Sequence, residues 1–260
     1  MRWLIVPLIA TAALLASGPT TGVTAKCAPN LANGLQTLGS ADQLISVEAS
    51  RYGTTYATLR RWSRTGECFR PVGGGWTARL GVNGLKDRRR EGDGTTPTGV
   101  YSIGPVMYGS APNPGVRYRY RKVACGDWWV EDPASTAYNT FQHVPCGRRP
   151  PFRTKPPGMW QDPVAYRHLA VIEFNMRPVV PGRGSGIFLH VSKGRPTAGC
   201  ISLPASQLIA TLRWLRGGGD DCYYPDAERP SPISMGRPVS SDVCAACSTS
   251  TTASPLRPSV

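Results

Sequence analysis

Two residues able to do covalent chemistry stand ten positions apart in the stretch IFLHVSKGRPTAGCISLP, residues 187–204. They are His190, one of three histidines, and Cys200, one of eight cysteines. A thiol attacks a carbonyl as its thiolate, and a cysteine at the usual pKa of about 8.5 is only a few per cent ionised at neutral pH. Full ionisation would therefore lower the barrier by only about 2 kcal/mol, whereas one well-aimed donor to the developing oxyanion is worth about 3–4 kcal/mol. A cysteine enzyme thus needs a base near the sulfur and a turn that points N–H groups at the reacting carbonyl. His190 can take the thiol proton and later pass it to a leaving amine. Gly199 directly precedes Cys200 and opens backbone conformations closed to other residues. The N–H groups of Gly199 and Cys200, with that of Ala198, are the natural oxyanion donors. No Asp or Glu lies in the stretch to orient His190, a task a backbone carbonyl performs equally well. A second reading stays open, in which Cys200 is half of a disulfide and His190 an edge-strand histidine.

These side chains need elements to hold them. IFLHV reads as a strand delivering His190, and Gly194 and Pro196 can reverse the chain so that its ends meet. HLAVIEFNM predicts a strand from His168 to about Phe174. After Cys200, SLPASQLIATLRWLRGG predicts the one clear helix, with Pro204 near its start, a stripe of Leu208, Ile209, Leu212 and Leu215, and glycines from Gly217 to end it. Alternating runs predict strands at about Gln43–Ala49, Thr54–Trp62 and Val100–Ile103, and residues 104–164 read as irregular. Cys125 and Cys146 bracket a segment suited to a disulfide-closed surface loop. The pattern is mainly β with one helix on the C-terminal side.

The chain has 260 residues and a net charge of +14. Arg2, the apolar run Leu4–Leu15 and the small residues after it read as a secretory signal peptide over residues 1–25, with the cleavage site open and the run too short to span a bilayer well. Export makes paired cysteines the rule and permits either four disulfides or three with two thiols left over. The positive charge favours polyanionic surroundings (nucleic acid, anionic membrane or an anionic cell-wall polymer) and does not by itself choose among them; export argues for the wall polymer, for no nucleic acid and for no membrane insertion after cleavage. Residues 225–260, rich in Pro, Ser and Thr, read as a poorly ordered tail. Cys244 and Cys247 form a C-x-x-C in that tail, where pairing with each other or with Cys222 fits better than redox work. No ligand spacing suits zinc.

The motif FLHV followed by TAGCISLP resembles the active-site signature of the L,D-transpeptidase catalytic domains, bacterial enzymes that cross-link peptidoglycan through a cysteine. EGDGTTPTGVYSIG (Glu91–Gly104), DWWVEDPASTAYN (Asp127–Asn139) and EFNMRPVVPGRGSGIFLH (Glu173–His190) resemble further segments of the family, so the likeness runs from about Gln43 to Trp214. It implies a β-sandwich-like catalytic domain over residues 26–224, Cys200 as nucleophile, His190 as base, and Ala198 and Gly199 in the oxyanion turn. It also implies a peptidoglycan stem tetrapeptide as donor, release of D-Ala, a thioester on Cys200, and resolution by a neighbouring stem's side-chain amine into a 3–3 cross-link. Resolution by water would make the protein an L,D-carboxypeptidase, and a silent wall-binding domain is the third alternative. No metal or cofactor is required, and a monomer is expected. The loop is short for the family; Ala198 stands where it carries a histidine, and Ser202 where it carries Arg or Asn. Thr197, Ser202, Lys193 and Arg195 are the candidate substrate contacts, the last two for a carboxylate. Trp128 and Trp129 should face opposite sides of a strand. His143 and His168 read as structural, and Asp93 and Thr96 as parts of a hydrogen-bonded turn around Pro97.

Overall fold

The computed structural model describes residues 27–35, 37–154 and 157–216, and the backbone of 222–227. The expected signal peptide, most of the expected tail, and Cys244 and Cys247 lie outside the described residues.

A one-turn helix α1 (Leu31–Gly34) precedes the strands β1 (Gln43–Ala49), β2 (Tyr56–Thr65), β3 (Cys68–Pro71), β4 (Trp76–Arg79), β5 (Leu85–Lys86), β6 (Thr96–Pro97) and β7 (Tyr101–Gly109). There follow β8 (Arg119–Lys122), β9 (Asp127–Trp129), β10 (Phe141–His143), β11 (Leu169–Ile172), β12 (Phe188–Val191), β13 (Ile201–Leu203), helix α2 (Ala205–Trp214) and β14 (Cys222–Ala227). The main sheet runs β1-β14-β7-β11-β12-β13-β4-β2-β3, and a further β1–β2 pairing closes it on itself. The fold is mainly β and sandwich-like, as the resemblance implies, with one helix longer than a turn among the described residues.

Strand β1 is buried on both faces. Ile45, Val47 and Ala49 enter the main core, while Leu44 packs with Ala32, Leu38, Trp62, Phe69 and Val100. The same two-sided burial shapes the strands that position the site. Ala170 and Ile172 of β11 and Leu189 and Val191 of β12 face the main core. Leu169, Val171 and Phe188, one residue out of phase, face a second cluster that contains Tyr108, Trp129, Met159 and Cys200. A period of two therefore sends Phe188 and His190 to the face that carries Cys200 and away from the main core.

Helix α2 buries Leu208 and Leu212 in the core, and Leu215 is buried just past its end; Thr211 rather than Ile209 completes its inward face, donating its hydroxyl to the Gln207 carbonyl at 2.9 Å. Residues 104–164, read as irregular, contain most of β7 together with β8, β9 and β10. Short strands separated by Pro and Gly leave little periodicity to see. Disulfides join Cys27 to Cys68 and Cys125 to Cys146, the second closing the expected loop.

Candidate active site

Cys200 is unpaired and buried, 8% exposed, which removes the reading of it as half of a disulfide. Its sulfur donates to the Gly186 carbonyl at 3.3 Å and accepts from the Phe188 N–H at 3.4 Å. Burial pushes the thiol up to about 12, against the pull of the Phe188 N–H. His190, also 8% exposed, is oriented by a backbone carbonyl: its Nδ1 lies 2.9 Å from the Val191 oxygen. That contact fixes the proton on Nδ1 and leaves Nε2 as the basic nitrogen. Burial lowers the imidazole to about 4, so it is neutral at physiological pH. Thiol and imidazole line one cavity of about 450 Å³, together with Tyr166, Asp162, Lys193, Arg195, Thr197, Ala198 and Ser202.

The loop between them differs from a simple reversal. β12 and β13 are parallel, with Leu189 opposite Ile201 and His190 opposite Ser202. The chain must therefore travel back past its own start before Cys200, and Thr197 is the tie that lets it. Its N–H donates to the Leu80 carbonyl at 2.9 Å, its carbonyl accepts from Val82 at 2.8 Å, and it bridges Gly81. Its hydroxyl donates to the Cys200 carbonyl at 2.6 Å and accepts from the Gly199 N–H at 3.1 Å. The Gly199 amide is thus already engaged, contrary to its expected place among the oxyanion donors. The amides of Ala198 and Cys200 bond no described group and remain available. Gly199 is needed for a different reason. It sits at φ +141°, and a Cβ there would lie 2.7 Å from the Thr95 carbonyl and 2.9 Å from Arg89 Nη1.

The other expected contacts divide. Lys193, whose ammonium is 2.8 Å from Asp162, is ion-paired rather than free for a substrate carboxylate. Arg195 is exposed on the rim and carries no ion pair among the described residues. Ser202 is 1% exposed and its hydroxyl has no hydrogen-bond partner among the described residues, beside His190 in the parallel register. His168 is held by the Tyr120 hydroxyl at 2.9 Å and His143 by Asp127 at 2.8 Å, and neither lines the cavity of Cys200 and His190. Trp129 is buried and donates to Asn139 at 2.9 Å, while half-buried Trp128 meets Trp160 edge-on from the other side. Asp93 caps its turn with bonds from Arg90 at 2.8 Å and Thr95 at 3.1 Å, and Thr96 accepts from Gly81 at 2.9 Å.

Four residues of the site escape sequence reading. Tyr166 packs edge-on to both His190 and Phe188 and lines the cavity. Asp162 pairs with Lys193 and lines the same cavity as the imidazole. Asn139, buried with φ +59°, accepts from Gly186 at 3.0 Å and so holds the carbonyl segment on which the thiol rests. Arg89 lies against Gly199. An Asn before Thr and an Arg in a run of three carry no periodic signal; Asn139 ends one segment that resembles the family and Arg89 lies just before another, whereas Asp162 and Tyr166 lie outside those segments.

The fold and this site define a mainly β domain in which a buried cysteine and a histidine line one cavity, and the comparisons give the family. The chain belongs to the YkuD L,D-transpeptidase catalytic-domain family, whose profile matches residues 58–240, well over half of its 260 residues. That family acts on peptidoglycan stem peptides. Among solved structures the chain is similar to the helical cell shape determining protein Pgp2 from Campylobacter jejuni and to a point mutant of it. Identity is 13% in both cases, with TM-scores of 0.36 and 0.38. The alignments cover 75% and 76% of this chain but only 53% and 52% of those chains, so it spans about half their length. No curated protein matches.

Proposed function

We propose that this protein is an exported peptidoglycan L,D-transpeptidase that forms 3–3 cross-links through a thioester on Cys200. The observation that carries the reading is a buried, unpaired Cys200 sharing a cavity with an imidazole whose other nitrogen is fixed by a carbonyl. His190 takes the thiol proton as the sulfur attacks the carbonyl at the L-centre of the third stem residue. The N–H groups of Ala198 and Cys200 receive the developing oxyanion. His190 passes that proton to the leaving nitrogen as the C–N bond breaks and D-Ala departs; a neighbouring stem's amine then attacks the thioester, giving a proton through His190 to the sulfur as the C–S bond breaks. Ser202 offers an unpaired hydroxyl to the bound stem, Arg195 a charge at the rim, and Thr197 holds the turn. Burial, which raises the thiol and lowers the imidazole, favours a neutral resting pair. Two disulfides support an oxidising, extracytoplasmic location.

Incubating the protein with purified disaccharide-tetrapeptide and following muropeptides by mass spectrometry tests this. A dimer lighter by one D-Ala and one water than two monomers, absent with Cys200→Ala, is expected. Tripeptide without dimer would make the protein an L,D-carboxypeptidase. No product from folded protein with a free thiol would make it a wall-binding domain.

A further inference from the structure

Acidic residues are missing from two stretches of the chain, 94–126 and 133–161. The first contains Arg117, Arg119, Arg121 and Lys122 near its end, and the second holds Arg148 and Arg149. The Cys125–Cys146 disulfide joins them with its two Cα atoms 5.5 Å apart, so basic runs well separated in sequence become neighbours. The acids between the two stretches add little outward charge. Asp127 is buried and pairs with Arg121 at 3.3 Å and His143 at 2.8 Å. Asp132 is buried and pairs with Arg153 at 2.6 Å, and Glu131 lines a cavity beside Cys200. Arg117, Arg119, Lys122, Arg148 and Arg149 are exposed and carry no ion pair among the described residues.

Strand β8 and the two residues before it put these charges in a row. Tyr118 belongs to the main core and Tyr120 packs against it, so alternation sends Arg117, Arg119 and Arg121 to the other face at intervals of about 7 Å. The pairing registers continue that row across the sheet: Arg121 stands opposite Tyr108, Tyr108 opposite Leu169, and Leu169 opposite His190. Opposed residues point to one face, so the arginines share the face that carries His190 and Cys200, three strand spacings or about 14 Å from the imidazole. The outer edge of β8 pairs with no strand among the described residues. Cations on such an edge also keep two sheets from joining, but that role does not call for Arg148 and Arg149, which stand outside any strand. Nor does the ridge carry anything to insert into a bilayer. The exposed large hydrophobic side chains, Tyr52, Tyr56, Val82, Val164, Val179 and Val180, all lie outside residues 117–153.

We infer that this ridge, Arg117, Arg119, Arg121 and Lys122 with Arg148 and Arg149 stapled beside them, is a docking surface for a linear phosphodiester polymer of the cell wall. The polymer lies on the face of the sheet that carries Cys200, so docking brings the peptide site to the wall. A phosphodiester presents two oxygens to one guanidinium and recurs at every repeat of its chain, the pattern that a row of arginines matches. The choice of wall over nucleic acid rests on the proposed export, and nothing in the inference depends on the chemistry of Cys200.

Two variants of equal net charge test the ridge, with poly(glycerol phosphate) titrated into the full chain. One carries Arg117→Gln, Arg119→Gln, Arg148→Gln and Arg149→Gln. The other carries Arg51→Gln, Arg70→Gln, Arg88→Gln and Arg183→Gln, exposed arginines scattered over other parts of the chain. At about 0.1 M salt the ridge variant should bind about tenfold or more weaker, and the control within about threefold of the wild type. Its plot of log affinity against log salt should be flatter by about three, from four lost contacts at about 0.7 each on a single chain. Cys200→Ala should bind as the wild type does, and the ridge variant should turn over soluble disaccharide-tetrapeptide normally. Should the ridge variant lose structure, Arg148→Gln with Arg149→Gln, which touches no strand, should still weaken binding about threefold or more. Equal weakening in the two fourfold variants would reduce the ridge to net charge and overturn the inference. Unchanged binding in the ridge variants would overturn it as well, and self-association alongside would assign the charges to guarding the strand edge. Tighter binding to phosphatidylglycerol vesicles or to polyglutamate than to poly(glycerol phosphate) would also overturn it, by naming another partner. Ridge-dependent binding without any Cys200-dependent muropeptide product would sink the transpeptidase reading alone, and dimers without ridge-dependent binding would sink the docking surface alone.

Discussion

At the scale of single residues, Cys200 and His190 are neutral because both were taken out of water, and that leaves a thermodynamic trace. A histidine whose folded pKa is about 4 against about 6.5 unfolded contributes stability that is complete above pH 6.5 and is lost as pH falls towards 4. The ceiling of that contribution is about 3 kcal/mol. Glu131 runs the other way: its raised pKa means that stability falls as pH rises from about 4.5 to 8. The two slopes oppose each other between pH 4.5 and 6.5, so the wild-type curve alone reads neither. Comparing urea unfolding of the wild type and His190→Gln from pH 4 to pH 7 isolates the first. The variant should lose less stability on acidification, by about 1–3 kcal/mol. Parallel curves would mean that the imidazole is hydrated, and the neutral resting pair would have to be given up.

At the scale of elements, the strand–loop–strand around Cys200 shows what a sequence displays and what it hides. The apolar run IFLHV was enough to expect a strand that delivers His190, and the apolar stripe after Pro204 was enough for α2. The parallel pairing of β12 with β13 was not visible, because pairing direction is decided by partners far away in the chain. Leu80 and Val82, more than a hundred residues earlier, hold Thr197 and so carry the loop back. Strand β14 was hidden for the same reason: a single Tyr-Tyr-Pro run becomes a strand only because β1 and β7 flank it. Arg89 and Glu131 have no sequence partner that would mark them as neighbours of Cys200. The loop geometry makes a prediction. Thr197→Ala removes the hydroxyl that joins the Gly199 N–H to the Cys200 carbonyl, while the backbone tie to Leu80 and Val82 stays. Dimer formation should fall about tenfold or more through kcat, with stability lower by only about 1 kcal/mol, and Thr197→Ser should restore most of it. An unchanged kcat in Thr197→Ala would show that the turn is set by the backbone alone.

At the scale of the whole molecule, the charge of +14 is too large to be a consequence of the site, whose own carboxylates and cations nearly balance. Several of the arginines are spent on the fold. Arg61 lies 4.3 Å over Trp76, Arg79 lies 3.7 Å over Tyr56, and Arg64 caps carbonyls of Gly39 and Ala41 at 2.9 and 2.8 Å. Stacking and capping leave the guanidinium charge intact, so the field outside the protein remains that of a polycation. A protein with such a field concentrates on a polyanion whether or not its cavity is filled, and the attraction is screened over about 10 Å at 0.1 M salt. Adsorption to isolated cell walls carrying anionic polymer should therefore fall steeply between about 0.05 and 0.3 M salt. Removing the anionic polymer chemically should abolish it, and Cys200→Ala should adsorb as the wild type does. Turnover of a small soluble disaccharide-tetrapeptide should vary far less over the same salt range, because short-range contacts inside a cavity are screened much less than a surface field. If adsorption survives both high salt and loss of the polymer, the wall is recognised through the peptide site itself. The excess of arginine would then have to be explained by the fold.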